Sequence, residues 1–161
     1  MPCWWSKRIN RLNVLKQIRS PYDLCLFSAM FAFAAVTPLL MRLRLARLET
    51  LLTWLCSSPP PEDRSSLSPE AVQQIAAYMD GVIQLGRPLI RPGCLTRGLT
   101  QYYFLRRRGL HVDLYFGTGQ VDNAFAAHCW LVKNNEPFLE KTDPRLHFNP
   151  IHAIPTEALT A

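Results

Sequence analysis

The most constraining feature of the chain is a change of hydrophobic period at Gly109. Before it, residues 94–108 carry apolar side chains at helical spacing, whereas residues 110–116 after it alternate as a β-strand does. Residues 117–123 supply turn residues, and residues 125–133 have the composition of a second strand. The sequence therefore predicts an α+β fold, in which a helix packs on a small antiparallel sheet after a helical N-terminal half.

Residues 24–41 form an apolar stretch of eighteen residues without a charged side chain. Their number just reaches the range needed to cross a bilayer, but Pro38 interrupts the stretch and arginines follow it. Three interpretations stay open: a helix buried in the core, a helix in contact with a membrane, and a secretory signal. We expect a cytoplasmic protein, with membrane association through residues 24–41 as the alternative.

A proline-rich segment at residues 57–66 divides the chain. Consecutive prolines lack backbone donors and disfavour helix in the residues before them, so this segment is predicted to be a surface linker. Ser68 and Pro69 then supply an N-cap and a first-turn proline for the next helix. We therefore predict a helical N-terminal region with its linker over residues 1–66 and a second domain over residues 67–161.

Cysteine content and charge limit the possible classes of function. The five cysteines are odd in number and include no C-x-x-C pair, which disfavours a disulfide scaffold or a structural zinc site and favours reduced thiols. We expect no metal and no cofactor. The net charge of +6 would suit nucleic acid, an anionic membrane or an acidic peptide, but no nucleic-acid module accompanies it, so we expect no nucleic-acid partner. Four of the cysteines are predicted to be small buried hydrophobes: Cys3, Cys25, Cys56 and Cys129.

Cys94 is the candidate nucleophile. Pro92 and Gly93 precede it, which predicts a thiol at a helix N-terminus, where free backbone N–H groups and the helix dipole favour the thiolate. His128, on the second predicted strand, is the candidate base. Period-two geometry places His128 on the strand face that can meet the Cys94 helix and makes Cys129 point away. From spacing alone, a buried cysteine and a structural histidine remain the alternative to a catalytic pair.

A catalytic imidazole also needs an acceptor that fixes its tautomer and supports its charged form. Glu140 and Asp143 are the candidates, because both follow the predicted turn at Asn134-Asn135. The segment after that turn is expected to return antiparallel beside the His128 strand, which would bring one of the two carboxylates near the ring. The sequence does not choose between them.

Four short segments resemble the transglutaminase-like cysteine peptidases that remove leaders from lasso-peptide precursors. They are Gly93-Cys-Leu-Thr-Arg-Gly-Leu99, Leu105-Arg-Arg-Arg-Gly109, Phe116-Gly117 and Phe125-Ala-Ala-His-Cys-Trp-Leu-Val132. The resemblance implies a papain-like order of nucleophile, base and acidic orienter, carried by Cys94, His128 and a carboxylate. Glu140 stands where members usually have Asp, and Asp143 competes with it. Cys129 stands where members tend to have Ala.

The resemblance also implies a reaction and partners. The implied reaction is cleavage of the leader from a lasso-peptide precursor through a thioester on Cys94. The implied partners are the precursor leader, a small leader-recognition protein and an ATP-dependent, asparagine-synthetase-like cyclase. Two alternatives stay open: a transglutaminase-like acyltransferase, and a non-catalytic peptide-binding or membrane-associated module in which Cys94 and His128 only pack.

Overall fold

The computed structural model describes residues 18, 20–42, 67–87, 89–90 and 92–154. Over these ranges the chain forms three α-helices, a short 3₁₀ helix and one four-stranded antiparallel sheet. The predicted α+β class, with a helical N-terminal part, is therefore confirmed. The linker predicted at residues 57–66 lies outside the described residues, as do Cys3 and Cys56, and the division of the chain at residue 66 stays a prediction.

Helix α1 (Pro21–Arg42) begins at a reciprocal cap. The Ser20 hydroxyl accepts the Asp23 backbone N–H, and the Asp23 carboxylate accepts the Ser20 N–H. Four apolar side chains on one face of the helix are buried in the core: Leu26, Phe27, Met30 and Ala34. The segment Pro21–Leu39 is also long and apolar enough to cross a membrane, by length and composition alone. The predicted burial of Cys25 is wrong, because its side chain lies on the exposed side of this helix.

Helix α2 (Pro69–Leu85) begins where predicted. The Ser68 hydroxyl accepts the Ala71 N–H, Pro69 occupies the first turn, and Gly86 caps the C-terminus. Because Ser68 has its own hydrogen bond to the first turn, this helix start is fixed by local sequence.

Helix α3 (Cys94–Arg106) packs against both other helices. An ion pair between Arg97 and Asp80 joins it to α2, and the Tyr103 ring stacks on Phe33 of α1 with centroids 4.9 Å apart. These contacts fix the helix that carries Cys94 at its first residue.

The sheet has the strand order β3-β2-β1-β4. Its strands are β1 (Asp113–Val121), β2 (Ala124–Lys133), β3 (Glu136–Phe138) and β4 (Phe148–Ile154). The β1–β2 and β2–β3 connections are two-residue turns whose residues have positive φ: Asp122 and Asn123 in the first, Asn134 and Asn135 in the second. Such turns match the twist of antiparallel strands. Helix α3 packs on the sheet face that carries Leu114 and Cys129, because the Cβ position of Gly98 lies 3.2 and 3.0 Å from their side chains.

The turn predicted over residues 117–123 is wrong in extent, because β1 continues through Gly117 and Gly119 to Val121. A Cβ at Gly117 would lie 2.7 Å from the Trp130 ring, and a Cβ at Gly119 would strike the backbone carbonyl of His147. These glycines therefore allow close approach inside the sheet, whereas the sequence presented them as turn residues.

A segment at residues 139–147, called here the crossing segment, connects opposite edges of the sheet. It leaves β3 at one edge and reaches β4 at the other, since the strand order places these two strands outermost. It includes the 3₁₀ helix Pro144–Leu146. The segment brings Glu140 and then Phe148, the first residue of β4, to the His128 ring, so it shapes the surroundings of the predicted base.

Candidate active site

Cys94 is the first residue of α3, as predicted. Gly93 forms the N-cap with an extended backbone and no side-chain hydrogen bond, and its carbonyl accepts the Arg97 N–H. The backbone N–H groups of residues 94–96, which precede this first helical hydrogen bond, have no carbonyl partner within the helix. These N–H groups point out of the N-terminal end of the helix, so the position stabilises negative charge on the Cys94 sulfur or on a bound oxyanion.

The Cys94 sulfur lies at an open edge of the sheet. Strand β3 pairs only with residues 131–133 of β2, so within the described chain no strand pairs with the outer side of residues 124–130. The backbone N–H of Cys129 donates a hydrogen bond to the Cys94 sulfur at this edge. The thiol of Cys94 thus lies beside the backbone of β2, between the two faces of the sheet.

This position lets side chains from both faces of β2 reach Cys94. His128 reaches it from one face, and the Cys129 thiol reaches it from the other. The prediction that His128 lies on the strand face that meets the Cys94 helix, while Cys129 points away, is therefore wrong, because α3 packs on the face that carries Cys129. Period-two geometry does put the two side chains on opposite faces, but Cys94 lies at the edge between the faces.

The surroundings of Cys94 favour its thiolate. The largest influence on the Cys94 pKa is a hydrogen bond from the Cys129 thiol, which lowers it, whereas burial raises it. Hydrogen bonds from His128 and from the Cys129 N–H lower it further, so the Cys94 pKa falls from 9.0 to about 4. The same thiol–thiolate hydrogen bond, together with burial, raises the pKa of Cys129. Of the two sulfurs, Cys94 carries the charge and Cys129 keeps its proton.

The surroundings of His128 favour the imidazolium. Burial lowers its pKa, but the interactions with the Cys94 thiolate and the Glu140 carboxylate outweigh burial and raise the pKa from 6.5 to about 9. At neutral pH the site therefore holds a thiolate–imidazolium pair. This is the charge state that a cysteine nucleophile and its acid–base partner need before attack.

Glu140 is the carboxylate that the fold brings to His128. Its Oε1 lies 3.9 Å from the His128 Nε2, and both side chains are mostly buried. The distance is that of an ion pair and is longer than an N–H···O hydrogen bond. With Nε2 directed toward Glu140, Nδ1 is the ring nitrogen available to the thiolate.

Asp143 is held elsewhere. Its carboxylate caps the 3₁₀ helix by accepting the Arg145 N–H at 2.9 Å, and it binds the Arg145 guanidinium at 2.7 Å. Hydrogen bonds from Arg145 lower the Asp143 pKa, and the same guanidinium pairs with Glu136. Of the two predicted orienters, the structure therefore brings Glu140, and not Asp143, to the imidazole.

Aromatic rings hold the His128 imidazole in place. Trp130, two residues along the same face of β2, stacks with it at a centroid distance of 5.9 Å, and Phe148 of β4 lies 5.2 Å away. The Trp130 ring itself lies over Gly117. Phe148 was not a predicted site residue, because no local sequence signal links it to His128. Pro150, in the same strand, is tolerated because β4 is an edge strand.

Comparison with known proteins identifies one family whose model matches nearly the whole chain. A family model described as the transglutaminase-like superfamily matches residues 14–153. No curated protein and no solved structure matched the chain. The matched range runs from before α1 into β4 and contains Cys94, His128 and Glu140. The chain therefore belongs to the transglutaminase-like superfamily.

Proposed function

We propose that the protein is a cysteine peptidase that removes the leader from a ribosomally made lasso-peptide precursor. The observation that carries the catalytic part is the contact between Cys94, at a helix N-terminus, and His128, with Glu140 3.9 Å from the ring. Family membership supports an enzyme of the cysteine-peptidase type. The choice of a lasso-peptide leader rests on the resemblance of residues 93–132.

In the first half of the reaction the Cys94 thiolate attacks the backbone carbonyl at the junction of leader and core. The backbone N–H groups of residues 94–96, at the start of α3, would stabilise the negative charge that forms on the carbonyl oxygen. The His128 imidazolium donates its proton to the departing amine. The C–N bond breaks, which leaves a thioester on Cys94 and a free amine on the other fragment.

In the second half, the neutral His128 imidazole accepts a proton from water as the water oxygen adds to the thioester carbonyl. The C–S bond then breaks, the carboxylic acid fragment leaves, and the thiolate–imidazolium pair is restored. Glu140 supports the imidazolium in both halves. Asp143 has no role in this sequence because Arg145 holds it.

The open edge of β2 is a suitable place for the peptide substrate. By strand geometry the backbone groups of Phe125 and Ala127 point outward, on the same side as the Cys129 N–H that meets Cys94. An extended peptide could add to this edge as a strand. Phe125 is 75% exposed, and its Cα lies about 13 Å along the strand from that of Cys129, which corresponds to about four residues of an extended peptide.

We place the enzyme in the cytoplasm, with the leader-recognition protein and the ATP-dependent cyclase as partners. Free thiols at Cys25, Cys94 and Cys129 support a reducing compartment. Helix α1 exposes Leu24, Val36 and Leu39, which offer apolar surface to a partner or a membrane. A carbonate wash of the membrane fraction tests location, since a protein that stays in the washed membranes would contradict a purely cytoplasmic enzyme.

The direct test is to incubate a candidate precursor, with its partner proteins, with wild-type enzyme and with variants. We expect mass spectrometry to show leader and core fragments with wild type and with Asp143→Asn, and intact precursor with Cys94→Ala and His128→Ala. Complete maturation by Cys94→Ala would overturn the proposal and favour a non-catalytic module.

The same assay separates hydrolysis from acyl transfer, since the superfamily includes both cysteine peptidases and acyltransferases. A primary amine is added to the reaction, and the new C-terminus of the released fragment is weighed. Hydrolysis gives the free acid whether or not amine is present. Accumulation of the amide, at the expense of acid, would show that the thioester is delivered to amines.

A further inference from the structure

We infer that Cys94 and Cys129 form a redox-sensitive pair, in which a peroxide oxidises Cys94 and the Cys129 thiol then closes a disulfide that reversibly blocks the nucleophile. The inference goes beyond the proposed function, because it needs only the two thiols and no peptide substrate. It assigns a modification site to Cys129.

The two sulfurs are already neighbours. Cys94 and Gly98 are one turn apart on α3, so their Cβ positions are separated by about 5–6 Å. The Cys129 sulfur lies 3.0 Å from the Cβ position of Gly98 and donates its thiol hydrogen to Cys94. A disulfide requires sulfur atoms about 2.05 Å apart and Cβ atoms about 3.8 Å apart, so closure must bring two thiols that already interact to bonding distance.

The two thiols differ in exposure in the way that a reactive and a resolving cysteine require. Cys94 is partly exposed, whereas Cys129 is 4% exposed. A small oxidant therefore meets the Cys94 thiolate first. Cys25, which is exposed, lies on α1 and provides a control thiol outside the site.

The chemistry balances with hydrogen peroxide as the oxidant. The Cys94 thiolate attacks one peroxide oxygen, an S–O bond forms, the O–O bond breaks, and hydroxide leaves; Cys94 becomes a sulfenic acid and is oxidised by two electrons. The Cys129 sulfur then attacks the Cys94 sulfur, so that an S–S bond forms and the S–O bond breaks. The departing hydroxide takes the Cys129 thiol proton and leaves as water.

Oxidation of Cys94 also removes the largest of the influences that keep Cys129 protonated, while burial remains. The Cys129 thiol is held as a donor to a neighbouring thiolate, and that negative charge disappears when Cys94 becomes a sulfenic acid. Cys129 is thus unreactive while the site is reduced and becomes a better nucleophile once the site is oxidised. The disulfide protects Cys94 from further, irreversible oxidation, and a dithiol restores the active site.

The test uses the full chain, without substrate, and a small molar excess of hydrogen peroxide. After free thiols are blocked, trypsin releases Cys94 within residues 65–97, since Arg87 and Arg91 precede prolines, and Cys129 within residues 109–133. We expect wild type to give these two peptides joined, and dithiothreitol to separate them and restore iodoacetamide labelling of Cys94. In Cys129→Ala and Cys129→Ser we expect sulfinic and sulfonic acids on Cys94 that dithiothreitol does not reverse.

Two variants at Cys129 keep the result interpretable if one of them folds poorly, and circular dichroism checks each of them. Cys25→Ala should behave as wild type. Irreversible oxidation of Cys94 in wild type to the same extent as in the variants, or a disulfide from Cys94 to a different cysteine, would overturn the inference. Because no peptide is cleaved in this assay, loss of the proposed peptidase function would leave its result unchanged.

Discussion

The ionisation of Cys94 leads to a quantitative prediction about its reactivity. The site lowers the Cys94 pKa from 9.0 to about 4. At pH 6 a thiol with a pKa of about 4 is about 99% thiolate, whereas one with a pKa of 9.0 is about 0.1% thiolate. Because iodoacetamide reacts with the thiolate, we expect wild-type Cys94 to be labelled nearly as fast at pH 6 as at pH 8.

The perturbation is His128→Gln, which removes the imidazolium charge but leaves the Cys129 thiol and N–H in place. Loss of a neighbouring positive charge disfavours the thiolate, so the Cys94 pKa must rise. Each unit by which the pKa exceeds the assay pH lowers the thiolate fraction about tenfold. We expect the midpoint of the labelling profile to move at least about one pH unit upward, and labelling near the old midpoint to fall in proportion.

The assay follows label on the tryptic peptide of residues 65–97 from acidic to alkaline pH, with circular dichroism to confirm folding at each pH. Cys25, on the peptide of residues 20–42, reports how the reagent itself responds to pH. Asp143→Asn should match wild type. The reasoning is refuted if wild-type labelling rises only near pH 9.0 and coincides with the His128→Gln profile.

Three further predictions follow from the site and the sheet. Peptide cleavage should require both the Cys94 thiolate and the His128 imidazolium, so its pH–rate profile should be limited by pKa values of about 4 and about 9. In Glu140→Gln the imidazolium loses its neighbouring carboxylate, so the alkaline limit of that profile should move to lower pH. Gly119→Ala should lower the free energy of unfolding in urea by about 1–3 kcal/mol, because the new Cβ strikes the His147 carbonyl. Phe125→Ser should raise KM for a precursor peptide and leave the iodoacetamide profile of Cys94 unchanged.

Matched variants control the last three predictions. An alkaline limit that moves equally in Asp143→Asn would mean that the effect is not specific to the carboxylate beside His128. Gly93→Ala, whose Cβ would meet nothing within 4 Å, should lose less stability than Gly119→Ala, because only the weaker N-cap acts there, and an equal loss in both glycine variants would contradict the steric argument. A Phe125→Ser enzyme with an unchanged KM would remove the open edge of β2 from substrate binding.

Local signals predicted much of the helical part and the position of Cys94 at a helix start. Ser68 and Pro69 define the start of α2 through a cap within one turn, and Gly93 before Cys94 places the thiol at the start of α3. Both inferences depend on residues adjacent in sequence. The α+β class followed equally directly from the change of period at Gly109, where the left-handed backbone ends the helical segment.

Longer-range features were beyond the reach of the sequence. Gly117 and Gly119 were assigned to a turn, because nothing near them in sequence shows that a Trp130 ring and a distant backbone carbonyl approach β1 there. Cys129 was placed away from the site, because the side on which Cys94 lies depends on where β3 stops pairing with β2. The only sequence signal at this position was a thiol next to the predicted base, where the peptidases that the sequence resembles tend to have alanine.

In the proposed mode of substrate binding, the edge of β2 that no described strand pairs with also limits when the protein can act on a peptide. A peptide can pair with a strand edge only where its own backbone is extended. A peptide bond inside a compact fold therefore cannot reach Cys94, even when the sequence around that bond is suitable. The protein should therefore process chains early, while the junction to be cut is still unstructured. Maturation steps that tie the product into a compact shape would then have to follow the cut.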